Sequence, residues 1–308
     1  MAKINNKLEY IKSSALENAD SLIEKSETRY KNIIESVCAQ IMEGGGHEIV
    51  MLAGPSASGK TTTAGKIKKQ LENMGHKAYT VSLDDFYLTP GTGPVDENGD
   101  PDFETVYALD IELIEKCIGE LIKNRESFLP EFDFVNKCRY DGKNHIRLAK
   151  GDVLIFEGLH ALNPVITDKL PSEHLFKIYV SVSSRIYDKN RNIVLNKRNM
   201  RFVRRLVRDF NFRASSPENT YFLWQNVTAG EDKYLFPYRF LADARINSIH
   251  LYEPCILKND AVKMLREIEK DSLFYKDAQK LIRSLEKFPE IPKDKIPGDS
   301  LLREFVGF

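Results

Sequence analysis

The sequence predicts an α/β fold built on a doubly wound parallel sheet, and two observations support this prediction. Short apolar runs typical of buried strands, namely HEIVMLA, DVLIFEG and FKIYVSVS, are separated by segments with helical spacing of apolar residues. A glycine-rich string, GPSASGKT, lies directly between the first run and a helical pattern that Gly75 closes. Buried strands that are separated by helices pair in parallel, with helices on the faces of the sheet.

Composition limits the kinds of protein that this chain can be. Its 308 residues, of which 42% are hydrophobic, suffice for one large domain or two ordinary ones. The 45 lysines and arginines equal the 45 aspartates and glutamates in number, so the net charge gives no argument for binding nucleic acid or an anionic membrane. We therefore expect neither a nucleic-acid nor a membrane partner.

Cysteine spacing and the apolar runs indicate the compartment. The four cysteines are scattered without a C-x-x-C pair, which argues against a disulfide framework or a zinc site and favours a reducing cytosol. The opening residues MAKINNKLEYIKSS lack the apolar core of a signal peptide, and no apolar run approaches the length of a membrane span. We expect a cytoplasmic protein, and the sequence leaves a homo-oligomer open.

The chain divides into three predicted parts. Residues 1–46 form a helical segment, residues 47–255 form the main domain, and residues 256–308 form a charged helical tail with a proline-rich break, FPEIPKDKIPGD. In the first part apolar residues recur every three, four or seven positions. These are Leu8, Ile11, Ala15, Leu22, Tyr30, Ile33, Val37 and Ile41.

The string GPSASGKT matches the phosphate-binding pattern G-x-x-x-x-G-K-[ST]. In such a loop backbone N–H groups surround the phosphates, the lysine reaches the outermost ones and the Ser/Thr hydroxyl binds Mg²⁺. A plain turn is the alternative, but the strand before the loop and the helix after it are the context that the motif requires. The expected nucleotide- and Mg²⁺-binding residues are therefore Gly54, Pro55, Ser56, Ala57, Ser58, Gly59, Lys60, Thr61 and Thr62.

Acidic residues follow two other predicted strands. Asp84 and Asp85 end the strand KAYTVSLDD, and Glu157 ends DVLIF. Ligand sites in such sheets lie at the carboxyl ends of the strands. A carboxylate there can accept a proton from a substrate hydroxyl or hold the water shell of Mg²⁺. The alternative is that these acids are solvated loop residues or helix caps; beside a phosphate loop, the functional interpretation is favoured.

Three further segments complete the main domain. The run TPGTGPVDENGDPD, rich in Gly, Pro and Asp, predicts an exposed loop, and ALDIELIEKCIGELIKN predicts a helix. FDFVNKCRYDGKNHIRL alternates around Asp141-Gly142, which predicts a β-hairpin with its turn at that pair.

The segment MRFVRRLVRDF predicts a helix with a basic face. Arg201, Arg204, Arg205 and Arg208 have the spacing i, i+3, i+4 and i+7, which puts them on one side. Like charges at this spacing repel one another, so the face is expected to meet an anion as a lid over phosphates. An ordinary solvated basic face is the alternative.

Taken together, these motifs resemble the uridine kinase/phosphoribulokinase family of P-loop kinases. GPSASGKTT, SLDDFYL and DVLIFEGLHALNP occur in the family's order, and RFVRRLVRD follows where the family has an arginine-bearing lid helix. The closer resemblance is to the kinase-like half of longer bacterial proteins that begin with a TGS domain. Those share FDF, GLHALNP, the RDF segment and the terminal LREF. The resemblance implies a P-loop fold with a hairpin flap, a lid helix and added terminal helices.

The resemblance also implies roles for single residues. Asp84 would be the general base that deprotonates the acceptor hydroxyl, and Tyr87 would face that acceptor. Glu104 falls where the family places an Asp that binds the ribose hydroxyls. Glu157 would join Thr61 around Mg²⁺.

The implied catalytic cations are Lys60 and Arg204. Arg201 and Arg204 would contact the acceptor and the phosphates, and Arg208 would bind the nucleotide.

Two departures bear on the acceptor. The family's pyrimidine kinases read the base with a Tyr and a His in the hairpin, where this chain has Phe132 and Lys137. The second departure is Asn199-Met200-Arg201, where the family usually has D-T-R.

We therefore expect an ATP- and Mg²⁺-dependent kinase that acts on a ribonucleoside 5′-hydroxyl. A kinase of a non-nucleoside alcohol such as a sugar phosphate is the alternative within the family. An ATP-binding sensor without turnover is the alternative of another class, and Asp84 together with Glu157 argues against it, because binding alone needs only the loop.

Overall fold

The computed structural model describes residues 4–43, 47–89, 91–95, 99, 102–134 and 136–307. The predicted glycine break at residues 44–46 lies outside the described residues, and so does part of the predicted loop of residues 89–102. The strands are β1 (Ile49–Ala53), β2 (Ala78–Ser82), β3 (Glu126–Asp133), β4 (Cys138–Arg147), β5 (Val153–Gly158), β6 (Leu175–Ser181), β7 (Ile186–Tyr187), β8 (Ile193–Leu195) and β9 (Ala244–Asn247).

Five of these strands form the central sheet, in the order β2-β5-β1-β6-β9. All four pairings in this sheet are parallel, which confirms the predicted doubly wound α/β fold. The register places Glu157 beside Leu52 of β1 and Ser82 of β2. The carboxyl ends of β1, β2 and β5 therefore meet at one edge of the sheet, where the predicted site residues follow them.

Helices cover the sheet, and those predicted from apolar spacing are present. The helices of the described structure are α1 (Leu8–Ile41), α2 (Lys60–Asn73), α3 (Ile111–Asn124), α4 (Pro164–Thr167), α5 (Lys197–Arg213), α6 (Pro217–Tyr234), α7 (Glu253–Leu265), α8 (Tyr275–Leu285) and α9 (Arg303–Val306). Within the described part of the chain, no helix combines the length and apolar character needed to cross a membrane.

The N-terminal helix α1 belongs to the core of the sheet. Its apolar stripe is buried, and Tyr30 donates or accepts a hydrogen bond of 2.6 Å with Thr63 of α2. One apolar cluster unites this stripe with alternate residues of β1 and β6 and with α7, α8 and the C-terminal segment, including Phe305. The three predicted parts of the chain thus contribute to one core on this face, and their boundaries stay a prediction.

The opposite face of the sheet has a second apolar cluster. It contains the other residues of β1, the buried side of α3 and the short 3-10 turn Leu83–Phe86 that follows β2. Met51 and Phe156, both fully buried, lie in this cluster. Leu83 and Phe86 are buried in this cluster and therefore anchor the turn. This anchoring fixes the position of Asp84 and Asp85, which lie between them.

The predicted β-hairpin is present, but the predicted position of its turn is wrong. β3 and β4 pair antiparallel with Asp133 opposite Cys138, so the chain reverses between these two residues. Asp141 and Gly142 lie inside β4, at a register shift opposite the step from Leu129 to Glu131. Gly142 has φ 66°, and the intervening Pro130 has no N–H to donate to the ladder. The Asp-Gly pair therefore lies in a bulge-like irregularity of β4 and not in the hairpin turn.

Candidate active site

The phosphate loop connects β1 to α2 and has the backbone that the motif requires. Ala57 and Gly59 have positive φ values of 56° and 86°. A Cβ at Gly54 would lie 2.4 Å from the carbonyl oxygen of Val180, so only glycine fits beside β6. The Ser58 N–H donates to the Pro55 carbonyl at 3.1 Å and closes the loop.

This loop fits the phosphates of a nucleotide. The N-terminus of α2 has no side-chain cap, so the N–H groups of its first turn are available to an anion. The buried Ser58 hydroxyl has no hydrogen-bond partner among the described residues. Lys60 forms no ion pair within 4.0 Å in the described part of the chain; burial raises the pKa of both Asp84 and Glu157, and the Lys60 charge opposes this increase.

Thr61 and Glu157 come together as the sequence predicted. The Thr61 hydroxyl donates to Glu157 Oε1 at 2.9 Å. Burial raises the pKa of Glu157, and the Lys60 ammonium opposes this increase. No cluster of three or more metal-ligating side chains exists among the described residues. The pair therefore suits a cation such as Mg²⁺, which keeps most of its waters and uses few protein ligands.

Asp84 lies in the 3-10 turn after β2, where its N–H donates to the Ser82 hydroxyl at 3.2 Å. Its side chain is exposed to solvent, although protein surrounds it on most sides, and the space bordered by Asp84, Lys60 and Tyr87 is called the cleft. This crowding raises the pKa of Asp84, and the charges of Lys60 and Arg213 oppose the increase. The positive charge of Lys60 thus acts on both Asp84 and Glu157.

Asp85, whose role the sequence left open, is a structural partner of the hairpin. Its Oδ1 accepts the backbone N–H of Phe132 at 3.2 Å. Burial raises the pKa of Asp85 and the hydrogen bond from Phe132 opposes this. The two neighbouring aspartates therefore differ in role, because Asp84 borders the cleft whereas Asp85 connects β3 to the 3-10 turn by a hydrogen bond.

Aromatic rings form one wall of the cleft beside Asp84. The ring of Tyr87 makes edge contacts with Phe103 and Phe132, each at 5.9 Å between ring centroids. The Tyr87 hydroxyl donates to the Phe103 carbonyl at 3.1 Å, which fixes the orientation of the ring. The structure thus brings Tyr87 and Phe132 together, and their acceptor-binding role stays a prediction.

Glu104 packs so closely against α6 that the facing residue of this helix, Gly230, has no room for a side chain. A Cβ on Gly230 would come within 2.8 Å of both the Cβ and Oε2 of Glu104. Burial raises the pKa of Glu104 to about 7, and the nearby Glu231 adds to the increase. Near neutral pH this carboxyl is therefore divided between its protonated and ionised forms, so it can donate or accept a hydrogen bond.

Lys137, a further predicted acceptor residue, does not join this group. It lies in the hairpin turn, exposed, with φ 51°. Neither a hydrogen bond nor an ion pair links it to the rest of the described chain. Its substrate-binding role therefore stays a prediction without geometric support.

The sequence indicated that the arginines of α5 form an open basic face. In the structure they are paired with acidic residues instead. Arg201 forms a bidentate pair with Glu231, with both distances 2.7 Å, and donates to the Ser56 carbonyl at 2.9 Å. Glu231 in turn accepts the Ser56 N–H at 2.8 Å. Arg205 reaches the Ser56 hydroxyl at 2.9 Å, and Arg208 pairs with Asp209 at 2.8 Å.

Arg204 is fully buried beneath the phosphate loop. Its Nε pairs with Glu253 at 2.6 Å, and its NH2 donates to the Ser248 carbonyl at 2.8 Å. Its NH1 is 3.3 Å from the Ala57 carbonyl and 3.4 Å from the Ser58 carbonyl. Arg204 thus supports the loop from behind, and its predicted contact with phosphates has no support in this geometry.

Glu231, Glu253 and His160 are site residues that the sequence did not single out. Glu231 and Glu253 lie far from their arginines along the chain, so no local spacing could have found them. His160 follows Glu157 and is buried, with no hydrogen-bond partner for either ring nitrogen among the described residues. Burial lowers the pKa of His160 to about 4, so it is neutral at physiological pH.

The C-terminal segment, predicted as a charged helical tail, also contacts the phosphate loop. A Cβ on Gly59 would lie 2.5 Å from the Leu301 side chain. The ring of Phe305 lies 5.2 Å from the Arg204 guanidinium. Glu304 Oε2 accepts the hydroxyl hydrogen of Thr62 at 2.6 Å, which puts a carboxylate at the N-terminus of α2.

Removal of this carboxylate charge is expected to tighten nucleotide binding. Glu304→Gln retains an oxygen that accepts from Thr62 but no longer repels a phosphate, and a charge at a helix N-terminus is worth about 1 kcal/mol, or roughly fivefold in affinity. The measurement is the Kd of ATP by calorimetry. Asp299→Asn, which removes an exposed charge of the same segment paired with Lys66, is the control. Weaker ATP binding by Glu304→Gln would contradict this expectation.

A parallel sheet with a phosphate loop after its central strand, and carboxylates at the ends of the neighbouring strands, defines a P-loop phosphotransferase. Residues 49–252 match the model of the Phosphoribulokinase / Uridine kinase family. The chain belongs to this family of ATP-dependent kinases, which transfer a phosphoryl group to a hydroxyl.

The matches to individual relatives each cover only part of the two chains compared. The chain is 36% identical over 139 residues to uridine-cytidine kinase C of Dictyostelium discoideum, a match that covers 45% of this chain and only 27% of that protein. It is 28% identical over 197 residues to the uridine kinase of Staphylococcus haemolyticus, covering 63% and 84% of the two chains. Among solved structures it is similar to D-glycerate 3-kinase from Cryptococcus neoformans, with TM-score 0.43, 16% identity and coverage of 67% and 87%.

Proposed function

We propose that the protein uses ATP and Mg²⁺ to phosphorylate the 5′-hydroxyl of a ribonucleoside. The observation that carries this proposal is the position of Asp84, which opens into the cleft between the phosphate-loop lysine and the aromatic wall. The charge of Lys60 acts on this carboxylate, and the carboxylate in turn acts on Tyr87, whose ring contacts that of Phe132.

The residues on the nucleotide side hold and neutralise the transferred group. ATP supplies the phosphoryl group, and Mg²⁺ would neutralise its charge between Thr61 and Glu157. The N–H groups at the start of α2 and the Lys60 ammonium face the same phosphates. Asp84 accepts the proton of the acceptor hydroxyl as its oxygen bonds to the γ-phosphorus of ATP and the bond from that phosphorus to the departing ADP breaks, the role for which its exposed carboxylate is suited.

The residues on the acceptor side match the two parts of a nucleoside. The rings of Tyr87 and Phe132 offer an apolar surface on which a base can lie. Glu104, with its pKa of about 7, can exchange hydrogen bonds with a sugar diol. Phe132 has no polar atom for reading a base, so base choice is expected to be loose.

A sugar phosphate is the second candidate acceptor, and the cations near Asp84 favour it. Arg213 is exposed and contributes a charge that lowers the pKa of Asp84. Its neighbours Arg205 and Arg208 share Asp209 with it, so three guanidinium groups meet one carboxylate. This surplus of positive charge at the mouth of the cleft would suit a phosphate carried by the acceptor.

A coupled assay of ADP release, screened over nucleosides, sugar phosphates and small hydroxy acids at fixed ATP, tests the proposal. We expect turnover with ribonucleosides and weak discrimination among bases. A clear preference for uridine and cytidine alone would contradict the loose base choice. Turnover only with a phosphorylated or acyclic alcohol would refute the nucleoside assignment, and no turnover with any acceptor would refute the catalytic role.

Glu104→Gln is expected to raise the KM for the acceptor more than it lowers kcat, because the carboxyl binds the sugar away from the reacting atoms. We expect a tenfold increase as an order of magnitude, typical of one lost charge-assisted hydrogen bond. Glu173→Gln, an exposed carboxylate in the turn before β6, is the control. An unchanged KM would remove Glu104 from the acceptor site.

A further inference from the structure

A cavity of about 850 Å³ lies beside the phosphate loop, on the side away from Asp84. It is enclosed by the carboxyl ends of β6 and β9, the N-terminus of α5 and the 3-10 segment Phe236–Leu241. No acidic side chain among the described residues lines it. Six cationic side chains do: Arg185, Lys197, Arg198, Arg201, Arg239 and Arg245.

Most of this positive charge has no acidic partner. Arg198 and Arg201 pair with Asp232 and Glu231. The other four, namely Arg185, Lys197, Arg239 and Arg245, form no ion pair within 4.0 Å with any described residue. In this the cavity differs from the buried arginines Arg201 and Arg204 of α5, each of which pairs with its own carboxylate.

The cations are close enough to repel one another. Burial lowers the pKa of Lys197, and the charges of Arg185 and Arg239 lower it further. The N-terminus of α5 adds its own positive potential, since Asn196 caps this helix at the cavity wall. Converging like charges destabilise a fold unless an anion is bound between them.

We propose that this cavity is a second ligand site, which binds a small molecule carrying a diphosphate or a longer phosphate chain. Its concave form and its volume lie in the range of small-molecule sites, of roughly 300–1,000 Å³. Guanidinium groups bind phosphate oxygens in pairs, which suits several arginines around one chain of phosphates. The rings of Phe236 and Phe240 flank Arg239 and provide a surface for an organic group.

The second site is linked to the phosphate loop through two lining residues. Pro55 belongs to the loop itself, and Arg201 donates to the carbonyl of Ser56. The Arg201 guanidinium also lies 5.1 Å from the ring of Trp224, which is the only tryptophan in the chain. Ligand binding in the cavity is therefore expected to change the tryptophan fluorescence.

Calorimetric titration with inorganic pyrophosphate tests the site. The background is Lys60→Ala, which weakens the phosphate loop, and the test variant adds Arg239→Gln and Arg245→Gln. We expect saturable binding by Lys60→Ala that weakens about tenfold or more in the triple variant, since two charge-assisted contacts are lost. The matched control adds Lys270→Gln and Arg283→Gln, two exposed cations away from the cavity, and retains the affinity.

Besides Lys60, which is changed in every variant, the four substituted positions are exposed, so the fold is expected to persist, and thermal melting of each variant checks this. ADP titrated into the same variants separates the two sources of such a phosphate chain. Tighter binding of ADP than of pyrophosphate indicates an organic phosphate, and equal binding indicates inorganic polyphosphate. No binding by Lys60→Ala, equal binding by the test and control variants, or preference for a short single-stranded RNA over ADP would each overturn the proposal.

Discussion

Asp84→Asn is expected to lower kcat for phosphoryl transfer by about 10²–10⁴-fold, the usual contribution of a general base. The substitution preserves the size of the side chain and leaves the hydrogen bond from the residue-84 N–H to Ser82 in place. It removes the proton acceptor beside the phosphate loop, while the contacts that hold ATP remain. The Kd of ATP should therefore change much less than kcat, as measured by calorimetry and by steady-state ADP release.

Asp85→Asn is the matched control, because the neighbouring carboxylate accepts a backbone N–H from Phe132 and an amide oxygen can accept the same bond. We expect this variant to keep its rate within a small factor. Equal rates for Asp84→Asn and wild type would refute the base assignment.

The pH dependence of the rate gives a second measure of Asp84. Burial raises its pKa, so on acidification the base becomes protonated at a higher pH than an ordinary aspartate does. Glu104 and Glu157 also have raised pKa values, so the informative quantity is the difference between wild type and Asp84→Asn. We expect the loss of rate that belongs to Asp84 to be missing from the variant's profile.

Arg204→Ala is expected to lower the free energy of unfolding by about 3–5 kcal/mol, because it leaves the fully buried Glu253 without its partner. The carbonyls of Ala57 and Ser58 also lose a donor, so the phosphate loop loses support. Urea unfolding at neutral pH measures this effect. We expect loss of stability to dominate over any selective loss of turnover.

Arg198→Ala provides the comparison on the same helix, because its pair with Asp232 is exposed. Such surface pairs contribute about 0–1 kcal/mol. A stability loss for Arg204→Ala that is no greater than that of Arg198→Ala, together with a large loss of kcat, would restore the role of a phosphate-contacting arginine.

The sequence by itself determined the sheet and the nucleotide half of the site. The motif GPSASGKT dictates a backbone that runs from strand to helix, and its residues are neighbours along the chain. Asp84 and Glu157 could be placed beside it because parallel strands end at one edge of a sheet. The pairing of Thr61 with Glu157, which the family resemblance implied, is present as a hydrogen bond.

Tertiary structure decided whatever depends on partners that are distant along the chain. The basic spacing of α5 was visible in the sequence, but Glu231 and Glu253, which neutralise Arg201 and Arg204, come from later segments. The hairpin turn was misplaced because positive φ at Gly142 serves a register shift as well as a turn. Side-chain charge is local to a residue, whereas its burial and its counter-charge depend on how the whole chain packs, and so only the fold distinguishes paired arginines from the unpaired cations of the second cavity.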